Sequence, residues 1–248
     1  ILSDADIILK VQQDFSNLNE VLMQKENSSL VSLLSPYESK NHLAQIAEKN
    51  INAFAMELVP RITKAQNMDV LSSQSNLSGY VAVIEAANLY QSIFPMLMTA
   101  AGTLNSPKVL IIGAGVAGLQ AIATAKRLGS VVFAYDVRAA TKEQVESLGA
   151  KFIHPDLEKM NNAEDKSGYA IEIAADFAKV QTEFFEKNIA KYDIVITTAQ
   201  IPGKIAPRII TDSMLGKMRD GSVLIDLAAA SGGNVEGVVP GEVKEIKG

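Results

Sequence analysis

Cysteine and tryptophan are absent from these 248 residues, and histidine occurs only as His42 and His154. Without cysteine there is no disulfide, no thiolate metal site and no cysteine nucleophile, although compartment is left open. The two histidines are far apart and have no partners at ligand spacing, so each is read as a surface or packing residue and no metal site is expected. Excess basic charge is missing too: 23 Lys and Arg stand against 28 Asp and Glu, a net charge of −5, which implies no general affinity for nucleic acid. Long apolar runs are scarce. The longest, VAVIEAANLYQSIFPMLMTAAGT at 81–103, nearly matches a bilayer, but Glu85, Asn88, Gln91 and Pro95 argue against a span. It is read as a buried helix joining two domains, kinked near Pro95, with Gly102 and Pro107 at its end. The chain opens ILSDADIILKV, without initiator methionine or signal sequence, and reads as a fragment lacking an earlier strand. There is no internal repeat or low-complexity segment. At 48% hydrophobic and 21% charged, the composition suits a well-packed soluble protein of one large or two ordinary domains.

What is present centres on residues 108–136, KVLIIGAGVAGLQAIATAKRLGSVVFAYD. An apolar β-branched run ends in glycines spaced G-x-G-x-x-G at Gly113, Gly115 and Gly118. An Ala/Leu-rich helical pattern beginning at Val116 follows, Gly129 closes it, and a second apolar run ends on Asp136. This is a βαβ unit with a dinucleotide fingerprint in its first turn. Gly113 permits the tight turn, Gly115 lets a pyrophosphate approach the backbone, and Gly118 lets helix and strand pack closely. The helix N-terminus offers N–H groups and a positive dipole end to the phosphates. Asp136, 18 residues beyond Gly118, can accept hydrogen bonds from a ribose diol and would repel a 2′-phosphate, which favours NAD(H). Arg138 weakens that point, because an arginine there can hold a 2′-phosphate.

Along the rest of the chain, strand patterns at 5–11, 29–34 and 53–58 alternate with a short helix before 28 and a helix at 41–49, a partial α/β domain with a parallel sheet. The strand at 5–11 reads as buried. Residues 60–80, PRITKAQNMDVLSSQSNLSGY, form a polar stretch between hydrophobic segments, read either as a functional loop or as a polar linker with a helix cap. Beyond Asp136 come a helix at 141–148 with Thr141 as N-cap, a short strand at 152–153, a polar loop at 161–168 and a long helix at 169–190. A strand at 193–197, a helix at 211–218 and a strand at 222–227 follow. Ligands of such sheets bind at the carboxyl ends of the strands, which places Gly113, Gly118, Asp136, Gln200 and the 231–234 segment on one edge.

The 60–80 stretch, RAATKEQVESLGAKF after Asp136, and the IPGK at 201–204 resemble the NAD(H)-binding domain (alpha subunit) of proton-translocating NAD(P) transhydrogenase, in the same superfamily as alanine dehydrogenase. The resemblance covers essentially the whole chain. It implies two Rossmann-like α/β domains with parallel sheets and a nucleotide-binding cleft, divided as 1–80, a connecting helix at 81–104, and 105–248. It implies a homodimer that binds NAD(H) and docks on an NADP(H)-binding domain, with direct hydride transfer coupled through a proton-channel membrane domain. The domain would be extrinsic, on the bacterial cytoplasmic face or a mitochondrial-type matrix side. By match to the family motif, Arg61, Gln66, Asp69 and Ser72 would surround the nicotinamide. Asp136, Val137 and Arg138 would hold the adenosine ribose, with Gly113, Gly115, Val116 and Gly118 at the phosphates. Gly168 and Tyr169 would belong to a closing loop, and Gln181 and Gln200 would contact nucleotide, although Gln200 departs from the family pattern.

Direct hydride transfer between nicotinamides needs no acid, base or metal, only two rings held in register. Alanine dehydrogenase is the alternative, but where that enzyme carries a lysine, a histidine and an aspartate this chain has Gln12, Ser35 and Ala230, so a general base is missing. A non-catalytic NAD-binding module is the third reading.

Overall fold

A computed structural model describes residues 2–60, 62–155, 175–201 and 203–246. The chain divides into two compact units, Ile1–Ser73 and Gln74–Gly248. Both are α/β with parallel sheets.

In the first unit, β1 (Ile7–Gln12), β2 (Ser29–Leu33) and β3 (Asn52–Ala55) lie side by side in that order, all parallel. α1 (Leu18–Leu22) and α2 (Lys40–Glu48) make the crossovers. Val21, Leu30, Leu34, Ile46 and Ile51 form its core. Strand β1 departs from the expected buried strand: Ile7, Leu9 and Val11 are 64%, 74% and 73% exposed. Side chains alternate across a pleated strand, so the row at 7, 9 and 11 turns away from the face that packs this core.

The 60–80 stretch is largely helical. Thr63–Met68 is a 3-10 turn, and α3 (Val70–Leu89) follows at once. The helix begins where Asp69 supplies a cap, and its polar first turns are tolerated because most of their side chains face solvent. The helix expected over 81–103 is corrected by the structure. α3 ends at Leu89, and β4 (Leu97–Thr99) and β5 (Gly102–Leu104) pair as an antiparallel hairpin. Pro95 lies beyond this stop and disfavours helix at its own position: the residue before a proline avoids the α region, and the proline itself offers no N–H. Gly102, at φ +144°, supplies a backbone conformation that other residues rarely adopt.

Among the described residues, the second unit is built on a parallel sheet ordered β10-β9-β6-β7-β8. These strands are β6 (Lys108–Ile112), β7 (Val131–Tyr135), β8 (Lys151–Phe152), β9 (Ile194–Thr197) and β10 (Val223–Asp226). Counting from β6 the order is 3-2-1-4-5, that of a mononucleotide-binding half, with its switch point between β6 and β9. Strands covered on both faces read as continuous apolar runs, and Val109 to Ile112 and Ile194 to Ile196 are each at most 1% exposed. Val109, Ile111, Ala121, Ile122, Ile194 and Ile196 pack one core with Ala82, Val83 and Ala86 of α3. Leu110, Ile112, Tyr135, Phe185, Ile189 and Val195 pack the other. Each fully buried aliphatic side chain contributes about 1.5–3 kcal/mol.

The remaining helices are α4 (Val116–Arg127), α5 (Thr141–Ser147), α6 (Ala175–Asn188) and α7 (Asp212–Leu215). Thr141 does not act as N-cap of α5. It is the first helical residue, and its hydroxyl donates to the Arg138 carbonyl at 2.8 Å. Thr211 does cap α7, accepting from the Met214 N–H. Gly129 and Gly149, with positive φ, close α4 and α5. The loop expected at 161–168 and the start of the helix expected at 169–190 lie outside the described residues.

Candidate functional site

The fingerprint turn is fixed by contacts that leave no room at two of its glycines. Gly113 has φ +101° and donates its N–H to the Tyr135 carbonyl at 2.8 Å. A Cβ on Gly113 would lie 2.5 Å from Thr198 Oγ1, and one on Gly118 only 1.8 Å from the Gly113 carbonyl oxygen. Gly115 differs. It caps α4 with extended backbone, and a Cβ there would meet nothing within 4 Å. The open space lies where the unpaired N–H groups of the α4 N-terminus begin. Val116, the first helical residue, is 39% exposed beside it. Two close-packed glycines and one open glycine match the division of labour in a pyrophosphate-binding turn.

The loop after β9 braces this turn across the switch point. Thr198 Oγ1 donates to the Gly113 carbonyl at 3.0 Å. Gly79 of α3 adds a second close approach, since a Cβ on it would lie 2.1 Å from the Ala117 carbonyl oxygen. Sequence reading places Gly79 in the polar stretch and gives it no role. The available signal is a glycine inside a capped helical run, which points to helix–helix contact.

Asp136 follows β7 and is 5% exposed. Its Oδ2 accepts from the Ala114 N–H at 2.6 Å, so the acid reaches back to the fingerprint turn itself. The Arg138 side chain folds onto the same carboxylate. Val137 lies between them, partly buried against the second core. Beneath this corner, the Tyr135 phenol receives a hydrogen bond from Gln181 Nε2 at 3.0 Å, and burial pushes that phenol well above its ordinary pKa. Gln181 is 7% exposed, so its resolved role is to satisfy the buried Tyr135 hydroxyl. Gln200 is exposed, and its Nε2 donates to the Leu227 carbonyl at 3.1 Å.

Sequence reading places Asn234 on this edge, but not the bonds that join it to Asp226 and to the loop after β9. The Asp226 carboxylate accepts from Thr197 Oγ1 (2.9 Å), the Ala228 N–H (2.9 Å) and the Asn234 N–H (2.8 Å). Asn234 is fully buried. Its Oδ1 accepts from the Ala199 N–H at 3.0 Å, and its Nδ2 donates to the Ala199 and Pro207 carbonyls, each at 2.8 Å. One amide therefore fixes the loop that carries Thr198 and Gln200.

In the first unit, Asp69 Oδ1 accepts from the Ser72 N–H at 2.9 Å and Oδ2 from the Ser72 hydroxyl at 2.7 Å, the pattern of a helix cap. Gln66 is exposed and precedes the cap, its carbonyl accepting from the Asp69 N–H. Arg61, Gly168 and Tyr169 lie outside the described residues. His42 stacks on Phe15 at 4.9 Å and His154 on Tyr135 at 5.3 Å, both as packing residues. Among the described residues no group of three His, Cys, Asp or Glu can hold a metal ion, and no helix is long and apolar enough to cross a membrane.

The sequence matches two family descriptions: "Alanine dehydrogenase/PNT, N-terminal domain" over residues 1–78 and "Alanine dehydrogenase/PNT, C-terminal domain" over 82–247. An NAD(P) transhydrogenase alpha-subunit protein from Rickettsia prowazekii is 57% identical over 98% of this chain and 63% of its own length. Its Rhodospirillum rubrum counterpart is 53% identical over 98% of this chain and 64% of its own length. A solved transhydrogenase structure from Sinorhizobium meliloti superposes with a TM-score of 0.84 at 47% identity, covering 99% of this chain and 65% of that one. The chain thus spans less than two thirds of these relatives.

Proposed function

The chain belongs to the alanine dehydrogenase/PNT family, and from that premise we propose that it is the NAD(H)-binding component of a proton-translocating transhydrogenase. It would pass hydride directly to or from NADP(H) on a partner domain, which in turn is coupled to a proton-channel membrane domain. The observation that carries the reading is the fingerprint turn. Gly115 opens onto the N-terminus of α4, and Asp136 reaches the Ala114 N–H from the neighbouring strand.

The residues present fit a dinucleotide. The α4 N–H groups and the bare backbone at Gly115 take the pyrophosphate, and Asp136 takes the adenosine ribose, with Val137 and Arg138 beside it. The bound nicotinamide supplies the transferable hydride. Arg61, Gln66, Asp69 and Ser72 are assigned to its carboxamide, with Gly168, Tyr169, Gln181 and Gln200 as further nucleotide-contacting positions. Asp69 and Ser72 are already joined in the first unit, which gives that corner a preformed shape. No side chain needs to move a proton, because hydride transfer between nicotinamides releases none.

The alanine dehydrogenase reading is disfavoured by the same positions that raised it. Gln12 is exposed at the end of β1, Ser35 follows β2, and Ala230 sits in the turn after β10. None can deprotonate an amine. A homodimer is supported by the β4–β5 hairpin, whose Leu97, Met98 and Leu104 are 47%, 74% and 55% exposed. A two-stranded hairpin is marginal alone and gains from packing against another surface.

The test is hydride transfer from NADH to an NADP analogue by the full-length protein mixed with a transhydrogenase NADP(H)-binding domain, beside an assay with alanine and NAD. Transfer only in the mixture, lowered by Gln66→Asn or Asp69→Asn, is the expected outcome. Alanine-dependent NADH formation by the protein alone would overturn it.

A further inference from the structure

The acid that selects NAD(H) is already in use. Asp136 Oδ1 accepts from the Arg138 N–H and Arg138 Nε, each at 2.9 Å. Oδ2 accepts from the Ala114 N–H at 2.6 Å and Arg138 Nη2 at 2.8 Å. A carboxylate offers about four lone-pair sites, and here four donors occupy them. The pair is largely shielded, with side-chain exposures of 14% for Arg138 and 5% for Asp136.

A ribose diol brings two O–H donors and needs acceptors for them. The two backbone N–H groups are fixed by the fingerprint turn and by the chain after β7, so they cannot yield. The forked contact from the guanidinium can yield, since it comes from a rotatable side chain and not from the backbone. Once displaced, that cation stays near the 2′-oxygen of a ribose held by Asp136. There it offsets the carboxylate charge that would repel a 2′-phosphate.

We infer that Arg138 is a specificity-determining residue that competes with the ribose diol for Asp136, and so tempers the preference for NAD(H) over NADP(H). This rests on the reading of Asp136 as the ribose acceptor and adds an opponent to it. Arg138 weakens NADH binding by holding the acceptor, and strengthens NADPH binding by supplying a counter-charge. Both effects narrow the ratio of the two affinities.

The test is to titrate the full-length protein and its Arg138→Met and Arg138→Lys variants with NADH and NADPH, read by nucleotide fluorescence. Met keeps both backbone donors on Asp136 and removes the fork. NADH should bind about tenfold tighter and NADPH several-fold weaker in R138M, the scale of one charge-assisted contact. Lys keeps the charge without the fork, so R138K should gain NADH affinity while holding most of the NADPH affinity, and it carries the same test if R138M does not fold. Weaker NADH binding in both variants, or an unchanged NADPH-to-NADH ratio, would overturn the inference. Failure of the unsubstituted protein to bind either nucleotide would instead overturn the reading of the site, and the inference with it.

Discussion

Asn234 and Ala199 exchange two hydrogen bonds: the Ala199 N–H donates to Asn234 Oδ1 at 3.0 Å, and Asn234 Nδ2 donates to the Ala199 carbonyl at 2.8 Å. A side-chain amide here takes over at Ala199 from the backbone pairing that runs as far as the Thr198 N–H. With the Pro207 carbonyl as third partner, Asn234→Ala would orphan three backbone groups around a fully buried site. Each buried unsatisfied group costs about 1–3 kcal/mol, so a loss of roughly 3 kcal/mol is expected after partial relaxation. Urea unfolding should show a lower midpoint with an unchanged slope.

Thr198 carries that order to the fingerprint. Its hydroxyl donates to the Gly113 carbonyl, and Thr198→Val keeps the shape while leaving that carbonyl without its partner. The expected result is a fold cooperative as before, with stability lowered by about 1 kcal/mol. NADH affinity should fall several-fold, because the turn loses its brace on the β9 side. Unchanged affinity in a fluorescence titration would show that the turn holds its shape without Thr198.

The βαβ unit was legible because its signals are local. Apolar runs of strand length, glycines at fixed offsets and an acid at the second strand end all fall within 108–136, and β6, α4 and β7 form there. The Asp226–Asn234 hub was not legible. Its bonds to Thr197, Ala199 and Pro207 join residues 27 to 35 apart, and no spacing rule announces them. The β4–β5 hairpin was missed for another reason: MLMTAAGT has helical composition, and pairing with its own continuation overrode that propensity beyond the end of α3. Gly79 was readable only after α3 was recognised as a helix reaching back to Asp69.

Alkaline pH should destabilise the protein through its buried phenols. Burial pushes Tyr192 from 10.0 up to about 12, and Tyr135 is raised further in the same direction. Between pH 10 and 12 the unfolded chain gives up the Tyr192 proton and the native state keeps it. The native state then binds more protons, so stability is full below pH 10 and falls as pH rises through that window. Thermal unfolding followed from pH 8 to 11.5 should show the decline, and Tyr192→Phe should flatten its first part. A decline just as steep in Tyr192→Phe would assign it to other groups.

The two outer residues of the G-x-x-G step should respond oppositely to the same added methyl group. At Gly118 the Cβ would lie 1.8 Å from a backbone oxygen, which no side-chain rotation relieves, so Gly118→Ala should cost upwards of ~3 kcal/mol and lose nucleotide binding with the fold. At Gly115 no protein atom lies within 4 Å and the φ of −79° suits alanine. Gly115→Ala should therefore leave stability unchanged or raise it by up to about 1 kcal/mol through the unfolded state. If that bare backbone is where a pyrophosphate approaches, NADH affinity should nonetheless fall at least tenfold, since the methyl group takes the space of a phosphate oxygen. A stable Gly115→Ala protein that binds NADH as before would remove the pyrophosphate from this turn, and with it the ribose from Asp136.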